Sequence, residues 1–200
     1  MTNVLILNGH QPFPFSEGRL TATLVDRART FFETRGDAVR VVETAKPYDA
    51  EAEVQNHLWA DLILFQFPVN NMGVPWSMKK YFDEVYIAGM DGRTSDGDGR
   101  SSAAPKENYG MGGGLGGQYM LSVTFNAPVE AFDDPDQEFF RGKSVDDLLY
   151  PQHQIARFIG LEARPTFAAY DVMKNPEIES DFQRFDAHLA SVFGAAAEAA

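Results

Sequence analysis

Three stretches of this sequence mix residue types in a way that ordinary connectors do not: His10 to Gly18 (HQPFPFSEG), Pro68 to Pro75 (PVNNMGVP) and Phe125 to Phe132 (FNAPVEAF). Each sets small or hydrogen-bonding residues among prolines and aromatics, which offers a flat heteroaromatic ligand both stacking area and edge contacts. Ser16, Gly18 and Leu20 add a second chemistry. They stand where a run of helical spacing begins, so a phosphate there would meet unpaired backbone N–H groups and the positive end of a helix dipole. A simple capping role for Ser16 or Thr21 is the competing account of the same residues.

Louder motifs carry less. Gly110 to Gly117 (GMGGGLGG) has the look of a phosphate cradle, but it lacks the GK[ST] ending and precedes a strand instead of joining strand to helix. The histidines at 10, 57, 153 and 188 are scattered without metal-ligand spacing, so no metal is expected. No GxSxG is present, which leaves an α/β-hydrolase without its nucleophile. Asp133, Asp134, Asp136 and Glu138 read as a solvated turn, and Phe139 and Phe140 as core. The chain has no cysteine, which removes disulfides, thiolate nucleophiles and sulfur-held metal sites together. Any redox chemistry must use a bound cofactor.

The elements that would position these loops follow from periodicity. Asn3 to Asn8 is a short, nearly continuous apolar run, as expected of a parallel strand covered on both faces. Leu20, Leu24, Ala28, Phe31 and Phe32 recur at helical spacing until Gly36. Further strands are expected at Ala38 to Thr44, Asp61 to Phe67, Gln118 to Thr124 and Thr166 to Tyr170. Helices are expected at Glu51 to Trp59, Trp76 to Tyr86, from Pro151 to Gly160, and from Asn175 to Phe193. Five strands alternating with helices predict an α/β fold, a doubly wound parallel sheet of order 2-1-3-4-5. In such sheets ligands bind beyond the carboxyl ends of the strands, where the three loops lie. A single domain over residues 1–200 is expected, with a long glycine-rich insert at 89–117 that holds 10 of the 17 glycines.

Seventeen basic residues against 29 acidic ones give a net charge of −12, a field that repels nucleic acid and anionic lipid. No stretch approaches the roughly 20 apolar residues of a membrane helix, and the opening residues lack a signal-peptide pattern, so a cytoplasmic protein without membrane insertion is expected. A single dinucleotide is compatible with that charge, because backbone amides hold a diphosphate locally. The short Ser/Thr/Gly cluster that grips an FMN phosphate is absent. The longer, bulkier His10 to Gly18 loop favours FAD.

Val4 to Gly9 with Ser16 to Leu20 (SEGRL), Val54 to Val85 and Lys106 to Phe132 together resemble the modulator of drug activity B family, bacterial NAD(P)H:quinone oxidoreductases of flavodoxin-like fold. QFP, MGVPW, YMLS and NAPVEAF occur in that family's order, and the likeness covers nearly the whole chain. The resemblance implies a homodimer that binds FAD, accepts hydride from NADPH or NADH, and reduces a quinone by two electrons in a ping-pong scheme. It implies that Ser16, Gly18 and Leu20 line the diphosphate and that Phe67, Pro68, Val69, Asn70, Asn71 and Met72 run along the isoalloxazine edge. Thr124, Phe125, Asn126, Ala127 and Glu130 would hold the pyrimidine end. Tyr109 would approach from the long insert, and Tyr109 and Asn126 are the side chains to assist the cofactor's chemistry. Two departures stand out. Val69, Asn70 and Asn71 occupy places where the family has aromatic residues, and Phe125 stands in place of a tryptophan. Two other readings of the residues remain open, an FMN-dependent azoreductase or nitroreductase-like enzyme and a flavodoxin-like electron carrier without turnover.

Overall fold

Side-chain alternation on five strands divides the interior into two cores. The structure, a computed structural model, describes residues 1–194. Strands β1 (Asn3–Asn8), β2 (Ala38–Glu43), β3 (Leu62–Pro68), β4 (Gln118–Thr124) and β5 (Glu162–Ala169) form one parallel sheet in the order β2-β1-β3-β4-β5. Val4, Ile6, Leu62, Leu64 and Met120 face α1 (Arg19–Thr34) and α6 (Ile178–Phe193), where Leu24, Phe32, Phe185 and Leu189 meet them. Leu5, Leu7, Ile63, Phe65 and Leu121 face the other way, toward α2 (Ala50–Trp59), α3 (Trp76–Ala88), the single turn α4 (Val145–Leu148) and α5 (Tyr150–Phe158). The three inner strands are buried along nearly their whole length, which is why their sequences are mostly apolar. The flavodoxin-like order expected from the sequence is the order observed.

Most bounds shift by one or two residues from those read in sequence, and three elements differ further. β5 begins at Glu162, four residues before Thr166, because its first half is largely polar and is recruited by pairing with β4 from Gln118 onward. Pro165 sits inside that half, beside a register shift of β4 between Met120 and Ser122, the kind of irregularity a residue without an N–H tolerates. α4 has no hydrophobic period to announce it. It is set by a capping box in which Ser144 and Asp147 exchange side-chain and backbone hydrogen bonds. α6 begins at Ile178, so Asn175 and Pro176 lie in the loop before it.

The glycine-rich segment earns its composition by close backbone packing. A β-carbon on Gly113 would stand 2.1 Å from the backbone nitrogen of Gly160, and one on Gly112 would meet the carbonyl oxygens of Asp96 and Gly97 at 2.7 Å. Gly113 thus lets the insert pack on the residues that follow α5, and Gly112 lets it fold against itself. No helix among the described residues is long and apolar enough to cross a membrane. No group of three or more His, Cys, Asp or Glu among them could hold a metal ion.

Candidate active site

A cleft of about 1110 Å³ opens at the carboxyl end of the sheet. The reversal of strand order between β1 and β3 splits the connections there and leaves the crevice that ligands of such sheets use. Its walls come from the loops after β1, β3 and β4, as the sequence predicts, and from a fourth loop after β5 carrying Val172 and Met173. That loop is tied to the third: Asp171 N–H donates to the Ala127 carbonyl at 2.9 Å and Val172 N–H to the Phe125 carbonyl at 3.0 Å.

The start of α1 is the best-formed anion site in the cleft. Gly18 holds the N-cap position at φ 79°, and no side chain caps the helix. The backbone of Ser16 exchanges hydrogen bonds with Phe13 at 2.9 and 3.1 Å, and since no side chain bonds the helix start, the capping account of Ser16 and Thr21 fails. The first backbone bond of the helix runs from Ala22 to Gly18, which leaves the N–H groups of Arg19, Leu20 and Thr21 without helical acceptors. No acidic residue lies in that turn. The cations at the mouth already have partners: Arg19 lies 3.5 Å from Glu17, Lys79 2.5 Å from Asp83 and Lys80 2.6 Å from Glu84. A diphosphate would therefore be held chiefly by oriented N–H groups, in a chain whose overall charge is strongly negative.

Phe13 and Phe15 stack with ring centres 5.5 Å apart and planes within 6°. Both line the cleft, as does Trp76 at the start of α3. Opposite, Asn70 and Gly73 exchange backbone hydrogen bonds at 2.9 and 3.0 Å around Asn71 and Met72, whose φ values of 48° and 66° make a tight left-handed turn. On the third loop, Phe125 N–H is taken by the Ala169 carbonyl at 2.7 Å. Among the described residues the N–H groups of Asn126 and Ala127 have no acceptor.

Of the residues singled out from sequence, Ser16, Gly18, Leu20, Pro68, Val69, Asn70, Asn71, Thr124 and Asn126 line this cleft together. Phe67 and Phe125 are buried in the core beneath it, and Phe125 stacks on Tyr170 with ring centres 6.0 Å apart. Met72, Ala127 and Glu130 do not line it, and Glu130 lies on a single helical turn at Val129–Ala131. Tyr109 is 73% exposed and lines a separate cavity of about 480 Å³ with Met90, Met111 and Phe158. One chain does not bring Tyr109 to the cleft. Sequence reading missed His10, Phe13, Phe15 and Arg19 as individual residues, and Trp76, Lys79, Lys80, Val172, Met173 and Ile178 altogether. The rule that selected three loops, applied to the last strand as well, would have found Val172 and Met173.

The donor set and the aromatic walls fit a dinucleotide with a flat ring system, and the cleft is wide enough for one. Comparison with known proteins agrees with that geometry. A family model described as flavodoxin-like fold matches residues 2–192. The chain is 42% identical over 193 residues to a Haemophilus influenzae protein named NADPH:quinone oxidoreductase MdaB, covering 96% of this chain and 100% of that one. Among solved structures, a Klebsiella pneumoniae protein provisionally described as a quinone reductase superposes with a TM-score of 0.73 at 24% identity, over 96% of this chain and 83% of that one. General stress protein 14 of Treponema denticola, in complex with FMN, gives a TM-score of 0.66 at 20% identity, over 96% and 97% of the two chains. Both likenesses speak to the fold.

Proposed function

Since the chain belongs to the flavodoxin-like family, we propose that it is an NAD(P)H:quinone oxidoreductase that binds FAD and reduces quinones by two electrons. The observation that carries this is the uncapped first turn of α1, opening into a cleft walled by four strand-end loops, in a chain closely related to a named quinone oxidoreductase. FAD, when bound, supplies the acceptance of hydride from NADPH or NADH and its delivery to the quinone. The N–H groups of Arg19, Leu20 and Thr21 would hold its diphosphate. The Phe13–Phe15 stack offers the adenylate half a face, which an FMN site would not need.

Pro68 to Asn71, Thr124 and Asn126 would border the ring system, and the free N–H group of Asn126 would stabilise negative charge at its pyrimidine end. No side chain in the cleft is placed as a strong acid or base, which suits chemistry carried by a cofactor. One cleft serves both substrates in turn, so ping-pong kinetics follow.

A homodimer is part of this reading. Ile87, Met90, Tyr109 and Met111 form an exposed apolar surface beside α3, and a second copy docked there would cover it and could carry its Tyr109 toward the cleft. The cytoplasm, where NADPH and NADH are found, is the compartment proposed. The purified protein tests the whole reading. It should show a flavin spectrum, release FAD on heating, bleach under anaerobic NADPH or NADH, and recover colour with quinone. Release of FMN would remove the FAD assignment, and a protein that binds no flavin would remove the function.

A further inference from the structure

His10 is a titratable side chain in the cleft wall that none of these roles employs. It follows β1 by two residues, and its backbone N–H donates to Oδ1 of Asn8 at 3.1 Å. Its ring lies against Gly18, so closely that a β-carbon at position 18 would stand 2.2 Å from Cδ2. Its Nε2 is 3.2 Å from the carbonyl oxygen of Ser16, and because a carbonyl can only accept, that nitrogen carries the hydrogen. The imidazole thus joins the end of β1 to the last residues before α1 and holds the turn that leaves the helix start open. Partial burial pulls its proton affinity below the ordinary histidine value, against the opposing pull of the Ser16 carbonyl.

The charged groups around it are Glu17 and Arg19, paired at 3.5 Å in the same turn, and Lys79, Lys80 and Asp83 of α3 in the cleft wall. Asn8, Thr124 and Asn126, from β1, β4 and the loop after it, are neutral. None of the ionic groups is bonded to the imidazole.

We infer that His10 is the positioning residue of the diphosphate turn and the group through which flavin binding is linked to pH; this rests on the reading of the cleft as an FAD site. A second proton would enter at Nδ1, leaving the Nε2 bond to Ser16 intact while adding a charge. In the free protein that charge is poorly solvated. A diphosphate at the first turn of α1 compensates it, so the bound form takes up the proton more readily than the free form. Linkage is reciprocal: flavin affinity rises as pH falls through the window between the two titrations and is flat above it.

The test titrates apo-protein with FAD at about pH 8 and about pH 5.5, following flavin fluorescence, for the wild type, His10→Gln and His10→Ala. FAD is the probe because the second proton of a phosphate monoester such as FMN titrates near pH 6. The wild type should bind more tightly at the lower pH, by up to about tenfold for each unit by which flavin raises the His10 titration. His10→Gln keeps a donor for Ser16 but cannot be charged, so it should bind FAD more tightly than His10→Ala and lose the pH difference. His10→Ala should bind more weakly at both. Proton NMR of the wild-type imidazole, assigned by its loss in His10→Gln, should show titration moving up on adding FAD. Equal pH dependence in wild type and His10→Gln, or an unmoved imidazole titration, overturns the linkage. Wild-type affinity in His10→Ala at both pH values overturns the positioning role. A wild type that binds no FAD at all defeats the cofactor reading, and this inference with it.

Discussion

The phenol of Tyr81 donates to Oε2 of Glu53 at 2.7 Å, joining α3 to α2 in a layer where both residues are buried. Asn56 is that oxygen's other donor, at 3.2 Å. Tyr81→Phe removes the closer donor and leaves a buried acceptor underserved in the interior. Such a loss costs about 1–3 kcal/mol, so a destabilisation of that size is expected in urea denaturation. FAD affinity should not change, because Tyr81 is buried in the core and, unlike Lys79 and Lys80 of the same helix, does not line the cleft. A variant as stable as the wild type would mean that water replaces the phenol.

His57, in the same layer, gives the fold an acid limit. Complete burial holds its titration down at about 4, against 6.5 for an exposed histidine, and only its Nδ1 bond to the Glu53 carbonyl at 2.9 Å opposes this. Between those values the unfolded chain takes a proton that the folded chain refuses. Stability therefore falls as pH drops from 6.5 to about 4, by about 3 kcal/mol at most, and this contribution levels off below. His57→Leu should flatten the profile in that window relative to the wild type, as measured by denaturation at a series of pH values. Parallel profiles would show that other groups set the acid limit.

Gly18→Ala should separate flavin binding from folding. The position has φ 79°, which costs a residue with a β-carbon about 1–2 kcal/mol, and the added methyl would collide with the His10 ring. The turn lies at the surface, so relief by local rearrangement is expected at the expense of the diphosphate site. Circular dichroism should be unchanged while FAD affinity falls about tenfold or more.

Asn70 and Asn71 both line the cleft, at positions where the family resemblance leads to an expectation of aromatic residues. Asn71 has φ 48°, a conformation that asparagine tolerates and tryptophan does not, so the informative change is Asn70→Trp. Two amides make the rim polar and favour small, polar-substituted quinones. One aromatic contact contributes about 0.5–1.5 kcal/mol, which predicts a several-fold to tenfold shift in kcat/KM toward menadione over benzoquinone. Flavin content should hold steady. An unchanged ratio would show that the Asn70 side chain does not border the quinone.

Ile87→Asp tests the dimer. The side chain is 68% exposed in a single chain, so the fold should tolerate the charge. An interface core should not. Light scattering should show the dimer mass of the wild type halved. Quinone reductase activity should drop with it if the partner's Tyr109 completes the site. A wild type that is monomeric and fully active would end this part of the reading.

Local sequence determined the sheet and its ligand-bearing end. The runs NVLILN, LILFQFP and QYMLSVT are mostly apolar because inner parallel strands are covered on both faces, and that constraint is written into each strand separately. From the alternation of such runs with helical periods came the strand order, and from the order came the loops that wall the cleft. Their family resemblance then named a chemistry that spacing alone could not.

What only the tertiary structure decided involves partners distant in the chain or backbone states that no period encodes. Ser16 looked like a helix cap, but its backbone pairs with Phe13 and Gly18 takes the cap at positive φ. The start of β5 was invisible because pairing with β4, not hydrophobicity, makes Glu162 to Pro165 a strand. Val172 joined the cleft through a hydrogen bond to residue 125, and Tyr109 left it because the glycine-rich insert packs its backbone against the residues that follow α5. Periodicity reports which way a side chain faces within its own element. Which elements meet, and which N–H groups are left without acceptors when they do, is fixed only once the whole chain has packed.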